Sequence, residues 1–321
     1  MADTPILEVE DLHKTFYIGF FRKRVEALSG VTFSVNAGES FGFVGHNGAG
    51  KTTTIKTMLS LIFPTRGRVR LFGKDGGDPR DRVRIGYLPE NPYVYQYLKP
   101  LEFLEFCGQL VGMSAHDRRK RSDELLQRLS LSHAVDRPIG KFSKGMMQRI
   151  GVAQALLHDP ELLILDEPFS GLDPVGRKEI RDLMSEQRQK GKTLLFTSHV
   201  LSDVELLCDR VAIVRQGKVT SCGTMRELLR PEVLTVEIAL NKVTSELRES
   251  IERLPSVTAR DAGVSLMVVT QTEAPVAEVL SLALRHGAVV ESVTPHRESL
   301  EDLFLRDAVA TKPSPARSAN P

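Results

Sequence analysis

From Ile6 to about Arg230 the chain alternates apolar, strand-like runs with amphipathic stretches of helical period, the pattern of an α/β domain. Two runs, Phe41-Gly42-Phe43-Val44 and Leu162-Leu163-Ile164-Leu165, are apolar throughout, which puts them at the centre of a sheet covered on both faces. Leu7 to Val35 alternates instead, around the basic and aromatic connection Tyr17-Ile18-Gly19-Phe20-Phe21-Arg22-Lys23-Arg24, and reads as an antiparallel flap. Residues 91 to 160 read as mostly helical, with helices over Leu101 to Leu110, Arg118 to Leu129 and Lys144 to Leu157 between Gly-, Pro- and Ser-bearing breaks. After Arg230-Pro231 the pattern restarts: strand (Leu234 to Leu240), helix (Thr244 to Leu254), strand, strand (Val264 to Thr270), helix (Pro275 to His286), strand (Ala288 to Val293) and a last helix from Ser299. The order βαββαβ is that of a ferredoxin-like α+β sandwich. The expected divisions are therefore 1–230, 231–310 and a disordered tail over 311–321, rich in Pro, Ser and Ala. No internal repeat is visible.

Composition narrows this picture only a little. Hydrophobic residues at 41% and charged residues at 26% are ordinary for a globular chain of 321 residues, long enough for about two domains. No apolar run reaches the ~18 residues that cross a bilayer, and the N-terminus lacks the basic-then-apolar order of a secretory signal, so the chain is expected to stay inside the cell. Three widely spaced cysteines, Cys107, Cys208 and Cys222, suit reduced thiols better than a disulfide framework or a zinc site. The net charge of +2 hides an asymmetry: residues 1–231 hold 34 Lys+Arg against 28 Asp+Glu, and residues 232–310 hold 7 against 13. The acidic second block speaks against a nucleic-acid-binding appendage. The run Arg118-Arg119-Lys120-Arg121 reads either as a solvated helix face or as a contact for an acidic partner.

The chemistry is carried by two motifs in the first block. Gly45-His46-Asn47-Gly48-Ala49-Gly50-Lys51-Thr52-Thr53 matches G-x-x-x-x-G-K-[ST] between a buried strand and an amphipathic helix, the setting of a phosphate-binding loop. Its glycines let the backbone wrap the phosphates so that N–H groups and the helix N-terminus face the negative charge. Lys51 should reach the β- and γ-phosphates, and Thr52 should offer its hydroxyl to Mg²⁺. Downstream, the apolar strand Leu162 to Leu165 ends in Asp166-Glu167, at the edge of a parallel sheet where ligands bind. Asp166 is placed to hold Mg²⁺, and Glu167 to act as general base toward the attacking water.

With Phe142-Ser143-Lys144-Gly145-Met146-Met147-Gln148-Arg149 added, the chain resembles the ATP-binding-cassette (ABC) ATPases, whose signature is usually L-S-G-G-Q. Ser170-Gly171-Leu172-Asp173-Pro174 is similar to the family's D-loop, Ser198-His199 to its switch histidine, and Lys14-Thr15-Phe16 stands where an aromatic stacks on adenine, with Tyr17 adjacent. The resemblance spans about residues 6 to 225, with every element in the family's order. It implies a P-loop NTPase of ABC type with an antiparallel flap and a helical subdomain, ahead of the small C-terminal domain. Three positions depart from it: Glu90 replaces Gln in the Q-loop, Lys144 and Met146 replace Gly and Gln in the signature, and Phe16 replaces Tyr. A carboxylate at position 90 can still accept from a Mg²⁺-bound water but cannot donate through an amide.

By this resemblance ATP with Mg²⁺ is hydrolysed between two head-to-tail cassettes. Phe16 and the loop residues 45–53 bind the nucleotide, and Ser143, Gly145 and Asp173 reach across the pair. Lys51, Glu167 and His199 act in the reaction, and Thr52, Asp166 and Glu90 hold the metal. The implied partners are a second cassette, identical or related, and a membrane-spanning permease on another chain, which would hold this subunit at the inner face of the cell membrane. The F-S-K-G-M signature, Glu90 and the ending Ser299-Leu300-Glu301-Asp302-Leu303-Phe304-Leu305 resemble ATPase subunits of bacterial export systems. An importer ATPase with a regulatory C-terminal domain and a soluble ABC protein acting on ribosomes or DNA are the alternatives. The latter would need two linked cassettes or a coiled-coil insertion, and neither is visible.

Overall fold

The computed structural model describes residues 5–76, 78–229, 233–271 and 275–310; the tail expected at 311–321 lies outside them. The chain divides into two units, Met1–Met225 and Arg226–Pro321.

In the first unit the flap forms a four-stranded antiparallel sheet in the order Lys23–Asn36, Pro5–Ile18, Arg66–Leu71, Lys74–Asp75. A six-stranded sheet follows in the order Lys218–Thr224, Arg210–Arg215, Ser40–Val44, Thr193–Ser198, Leu162–Leu165, Ile85–Leu88. All its neighbours run parallel except the first pair. The two runs that are apolar throughout are indeed interior strands, buried along their whole length. Phe33 of the flap bridges the two sheets, its ring 5.4 Å from Phe41 and 4.9 Å from Phe43. Because Ser40–Val44, Thr193–Ser198, Leu162–Leu165 and Ile85–Leu88 are parallel neighbours, their carboxyl ends share one edge. The segments that follow them, carrying Gly45, His199, Asp166 and Glu90, are gathered there.

The helical subdomain consists chiefly of Pro100–Leu110, Ala115–Arg128 and Lys144–Leu156. The second helix starts at Ala115 rather than the expected Arg118, because Ser114 caps it: the Asp117 N–H donates to Ser114 Oγ at 3.1 Å. Two of the four cations in its basic run are paired locally, Arg119 with Glu105 and Asp123, and Arg121 with Glu124.

The second unit has strands Val233–Asn241, Val257–Ala262, Ser265–Thr270 and Val289–Arg297, with helices Ser245–Glu252 and Val276–Arg285. All strand pairs are antiparallel, and the first and third strands lie at the centre of the sheet, the ferredoxin-like arrangement. Val236, Ile238, Leu240 and Val268 pack against Leu247, Ile251, Val279 and Ala283 of the helices. The last strand extends to Arg297, beyond the expected Val293, and its later residues are exposed. Their side chains pack on no core, so the apolar pattern there is silent.

Candidate functional site

The phosphate loop joins strand Ser40–Val44 to helix Lys51–Met58, and Gly50 is the position that makes the join possible. Its φ of +107° is in the left-handed region, and a Cβ there would fall 2.8 Å from Leu28 Cδ2 and 2.9 Å from the Ala27 carbonyl oxygen. His46, Asn47, Gly48, Gly50, Lys51, Thr52 and Thr53 line a cleft of about 350 Å³ together with Glu90, Asp166 and Glu167. Gly45 and Ala49 are buried behind it. The Gly45 carbonyl accepts from Lys51 Nζ at 2.6 Å, and His46 Nδ1 lies 2.7 Å from the Asn47 carbonyl oxygen.

A buried polar network connects the loop to the strand ends. Thr52 Oγ1 donates to Asp166 Oδ2 at 2.8 Å, and Thr197 Oγ1 donates to Asp166 Oδ1 at 2.6 Å. Both oxygens of the fully buried Asp166 are thus engaged. Burial nevertheless pushes its carboxyl above the usual range, opposed by the two threonine hydroxyls. Glu167 follows with φ +52°, a left-handed conformation that costs a non-glycine residue of order 1–3 kcal/mol. Its neighbours hold it there: the Glu167 N–H donates to Thr197 Oγ1 at 2.9 Å, and its carbonyl accepts from Gln148 Nε2 at 3.1 Å and from the Ser170 N–H at 3.1 Å. The carboxylate has two different surroundings. Oε2 lies 2.7 Å from His199 Nδ1, while Oε1 is buried, faces the Lys51 ammonium at 3.3 Å and makes no hydrogen bond among the described residues.

Thr197 and Gln148 are the network members that motif reading misses. Thr197 is a polar residue on a strand buried along its whole length, which is a signal; Gln148 carries none beyond lying in the signature helix.

Three expected residues stand elsewhere. Ser143, Gly145 and Asp173 line a separate, open hollow with Lys144, Met146, Arg149, Gly171 and Leu172, and the structure does not bring them to the phosphate cleft of their own chain. Ser143 caps the helix Lys144–Leu156 by accepting from the Met146 N–H at 3.2 Å, and Asp173 caps the helix Pro174–Gln189 by accepting from the Gly176 N–H at 2.8 Å. Phe16 is half-buried near the end of the first flap strand, with the Lys14 ammonium 5.1 Å from its ring centre, and does not line the cleft. Glu90 lines it from an exposed position. Among the described residues no three His, Cys, Asp or Glu side chains are grouped to hold a metal ion, so Glu90 does not join Asp166 and Glu167 in such a cluster.

Comparison with known proteins places this geometry in context. Residues 28–170 match the family model described as "ABC transporter". The chain is 46% identical to an ABC transporter ATP-binding protein, all4389, of Nostoc, over 71% of this chain and 69% of that one. It is 32% identical to the Nod factor export ATP-binding protein I of Ralstonia nicotianae, over 95% of this chain and 94% of that one. Among solved structures, an ATP-binding subunit of an ABC transporter superposes with a TM-score of 0.62 at 35% identity, covering 70% of this chain and 91% of that chain.

Proposed function

The chain belongs to the ABC transporter family of ATP-binding proteins, and we propose from that membership that it is the ATPase subunit of an export system, working as a head-to-tail pair on a membrane-spanning partner. Among the described residues no helix is long and apolar enough to cross a membrane. The direction rests on the full-length likeness to a Nod factor export protein.

The observation that carries the hydrolytic reading is the asymmetric setting of Glu167. One oxygen meets His199; among the described residues the other is held only by Lys51, which also bonds the Gly45 carbonyl. Triphosphate entering the loop competes for Lys51 and draws the ammonium off Glu167, freeing Oε1 to accept a proton from the attacking water. Substrate binding and unmasking of the base are then one event. His199, bonded to the opposite oxygen, orients the carboxylate and carries the report of the γ-phosphate.

The donor set fits Mg²⁺: the Thr52 hydroxyl and the Asp166 carboxylate are hard oxygen ligands 2.8 Å apart, with Glu90 on the same cleft. Bound beside ATP, the ion neutralises charge on the β- and γ-phosphates. The separation of Ser143, Gly145 and Asp173 from the cleft supports a paired arrangement, in which the N–H groups at the start of helix Lys144–Leu156 meet the γ-phosphate held by the other copy.

Affinity purification of the tagged chain from its native membranes tests this reading. A polytopic membrane protein in stoichiometric amount, together with ATP hydrolysis, is the expected result. Recovery with ribosomal RNA and no membrane protein would overturn it in favour of the soluble class.

A further inference from the structure

The tip of the flap exposes chemistry that ATP hydrolysis does not use. Strands Pro5–Ile18 and Lys23–Asn36 pair as far as Ile18 opposite Lys23, and residues 19–22 close them in a turn in which the Arg22 N–H donates to the Gly19 carbonyl at 3.0 Å. The two central positions of that turn, where small polar residues are the rule, are Phe20 and Phe21, which are 97% and 93% exposed. Among the described residues their rings pack only on each other, edge to face at 5.7 Å. Tyr17 and Ile18 behind them are 62% and 57% exposed. Among the described residues nothing covers this aromatic surface, and such patches mark contact sites.

Charge identifies what the tip contacts. Arg22, Lys23 and Arg24 follow the two rings directly and are exposed, and no Asp or Glu stands between Lys14 and Val25. The flanking acids are already engaged: Asp11 with His13 and Arg66, and Glu26 near His13 at 4.0 Å. The Arg22 guanidinium lies over the Tyr17 ring, 5.4 Å from its centre, which keeps it beside the aromatic surface. Apolar rings at the apex with uncompensated cations one residue behind match the layering of an anionic bilayer surface, where rings enter the headgroup boundary and Arg and Lys reach the phosphates.

We propose that the hairpin tip Tyr17 to Arg24 is a direct contact for anionic phospholipid, independent of any membrane-spanning partner. Three cations near such a surface supply about a hundredfold in partition together, and the two Phe rings supply the part that salt does not remove.

Co-sedimentation of the full-length chain with vesicles tests the assignment, using phosphatidylcholine alone and phosphatidylcholine with about 30 mol% phosphatidylglycerol, at low and high salt. Expected are binding to the anionic vesicles only, a loss on the order of a hundredfold in a variant combining Arg22→Gln, Lys23→Gln and Arg24→Gln, and a residual, fully salt-sensitive binding in a variant combining Phe20→Ser with Phe21→Ser. ATP affinity without vesicles should be unchanged in both variants, which also shows that they are folded. Equal partition of the triple variant and the parent chain, or no binding of the parent to anionic vesicles, overturns the proposal. Weakened ATP binding in either variant without vesicles also overturns it and assigns the tip to the nucleotide.

Discussion

The phosphate cleft and the signature hollow lie in the same unit and differ in what their polar groups are bonded to. In the cleft, Lys51, Thr52, Asp166, Glu167, Thr197 and His199 form one connected network, with partners drawn from the loop and from two neighbouring strand ends. In the hollow, Ser143 and Asp173 only cap their own helices, and the exposed Lys144 has no polar partner among the described residues. On the proposed function, the cleft holds what is needed to place a base beside a phosphate. On the proposed function, the hollow offers its helix N-terminal N–H groups to a second cassette. A lone chain should therefore bind ATP through the cleft and hydrolyse it slowly, with the hollow contributing only after pairing.

The largest effect is expected at Glu167, the carboxylate proposed as the base. Glu167→Gln keeps the shape that His199 and Lys51 contact but removes basicity, so ATP binding should persist while turnover falls by ~10²–10⁴. A steady-state ATPase assay beside a nucleotide-binding measurement checks this; near-normal turnover would remove Glu167 from the reaction. Next comes Asp166→Asn, which should cost ~10²-fold or more in Mg²⁺-dependent turnover by deleting a charged ligand. It should also stabilise the nucleotide-free chain, because the amide removes a desolvated charge. With its folded pKa raised above the unfolded value, Asp166 contributes stability at acidic pH that is lost as pH rises through the folded pKa. The melting temperature of Asp166→Asn should thus exceed that of the parent chain by a margin that widens from about pH 4 toward neutrality. A constant margin would show that burial is not what shifts Asp166.

Smaller again is Thr197→Val, which fills the same volume and leaves the Glu167 N–H and Asp166 Oδ1 without their partner. Each unpaired buried group costs about 1–3 kcal/mol and two are left, so unfolding by denaturant should show a loss of about 2–6 kcal/mol with an unchanged slope. The corresponding change on the hollow side, Ser143→Ala, removes one exposed cap and should cost only about 1 kcal/mol. If the two losses are equal, the cleft network is no more cooperative than a surface cap.

These residues also show what could be read from the chain beforehand. The loop 45–53 and the pair Asp166-Glu167 are each contiguous, so spacing alone singles them out, and the fold brings them to one cleft. The apolar runs likewise declare central strands. Thr197 is different: it acquires its role only because strand Thr193–Ser198 pairs with Leu162–Leu165, which brings it to Asp166 and Glu167 from 31 and 30 positions away. Gln148 reaches the Glu167 carbonyl across helix and strand in the same way. Ser114 was hidden by its neighbours, since the basic run after it draws attention from the Ser-x-x-Asp cap that starts the helix. The open hollow lay beyond any spacing argument, because the distance between Ser143 and the phosphate loop exists only in the folded chain.

The smallest effect, and the finest test of the contrast, concerns Lys144. Its stem lies across the D-loop, so close that a Cβ on Gly171 would fall 2.6 Å from both Lys144 Cγ and Cδ. Removing the whole side chain would therefore mix lost packing with lost charge, whereas Lys144→Met keeps most of the stem and deletes only the ammonium. A cation in the first turn opposes the helix dipole by ~0.3–1 kcal/mol, so the isolated chain should become slightly more stable on substitution. Pairing should move the other way. If the ammonium faces the triphosphate held by the other copy, Lys144→Met in the Glu167→Gln background should weaken ATP-driven association a few-fold at low ionic strength. The deficit should close at high salt, where such contacts are screened. Thermal melting and sedimentation with ATP at two ionic strengths read the two signs separately. A raised melting temperature with an unchanged association constant at both salts would leave Lys144 as a solvated helix residue, and would mean that the hollow works through its backbone N–H groups alone.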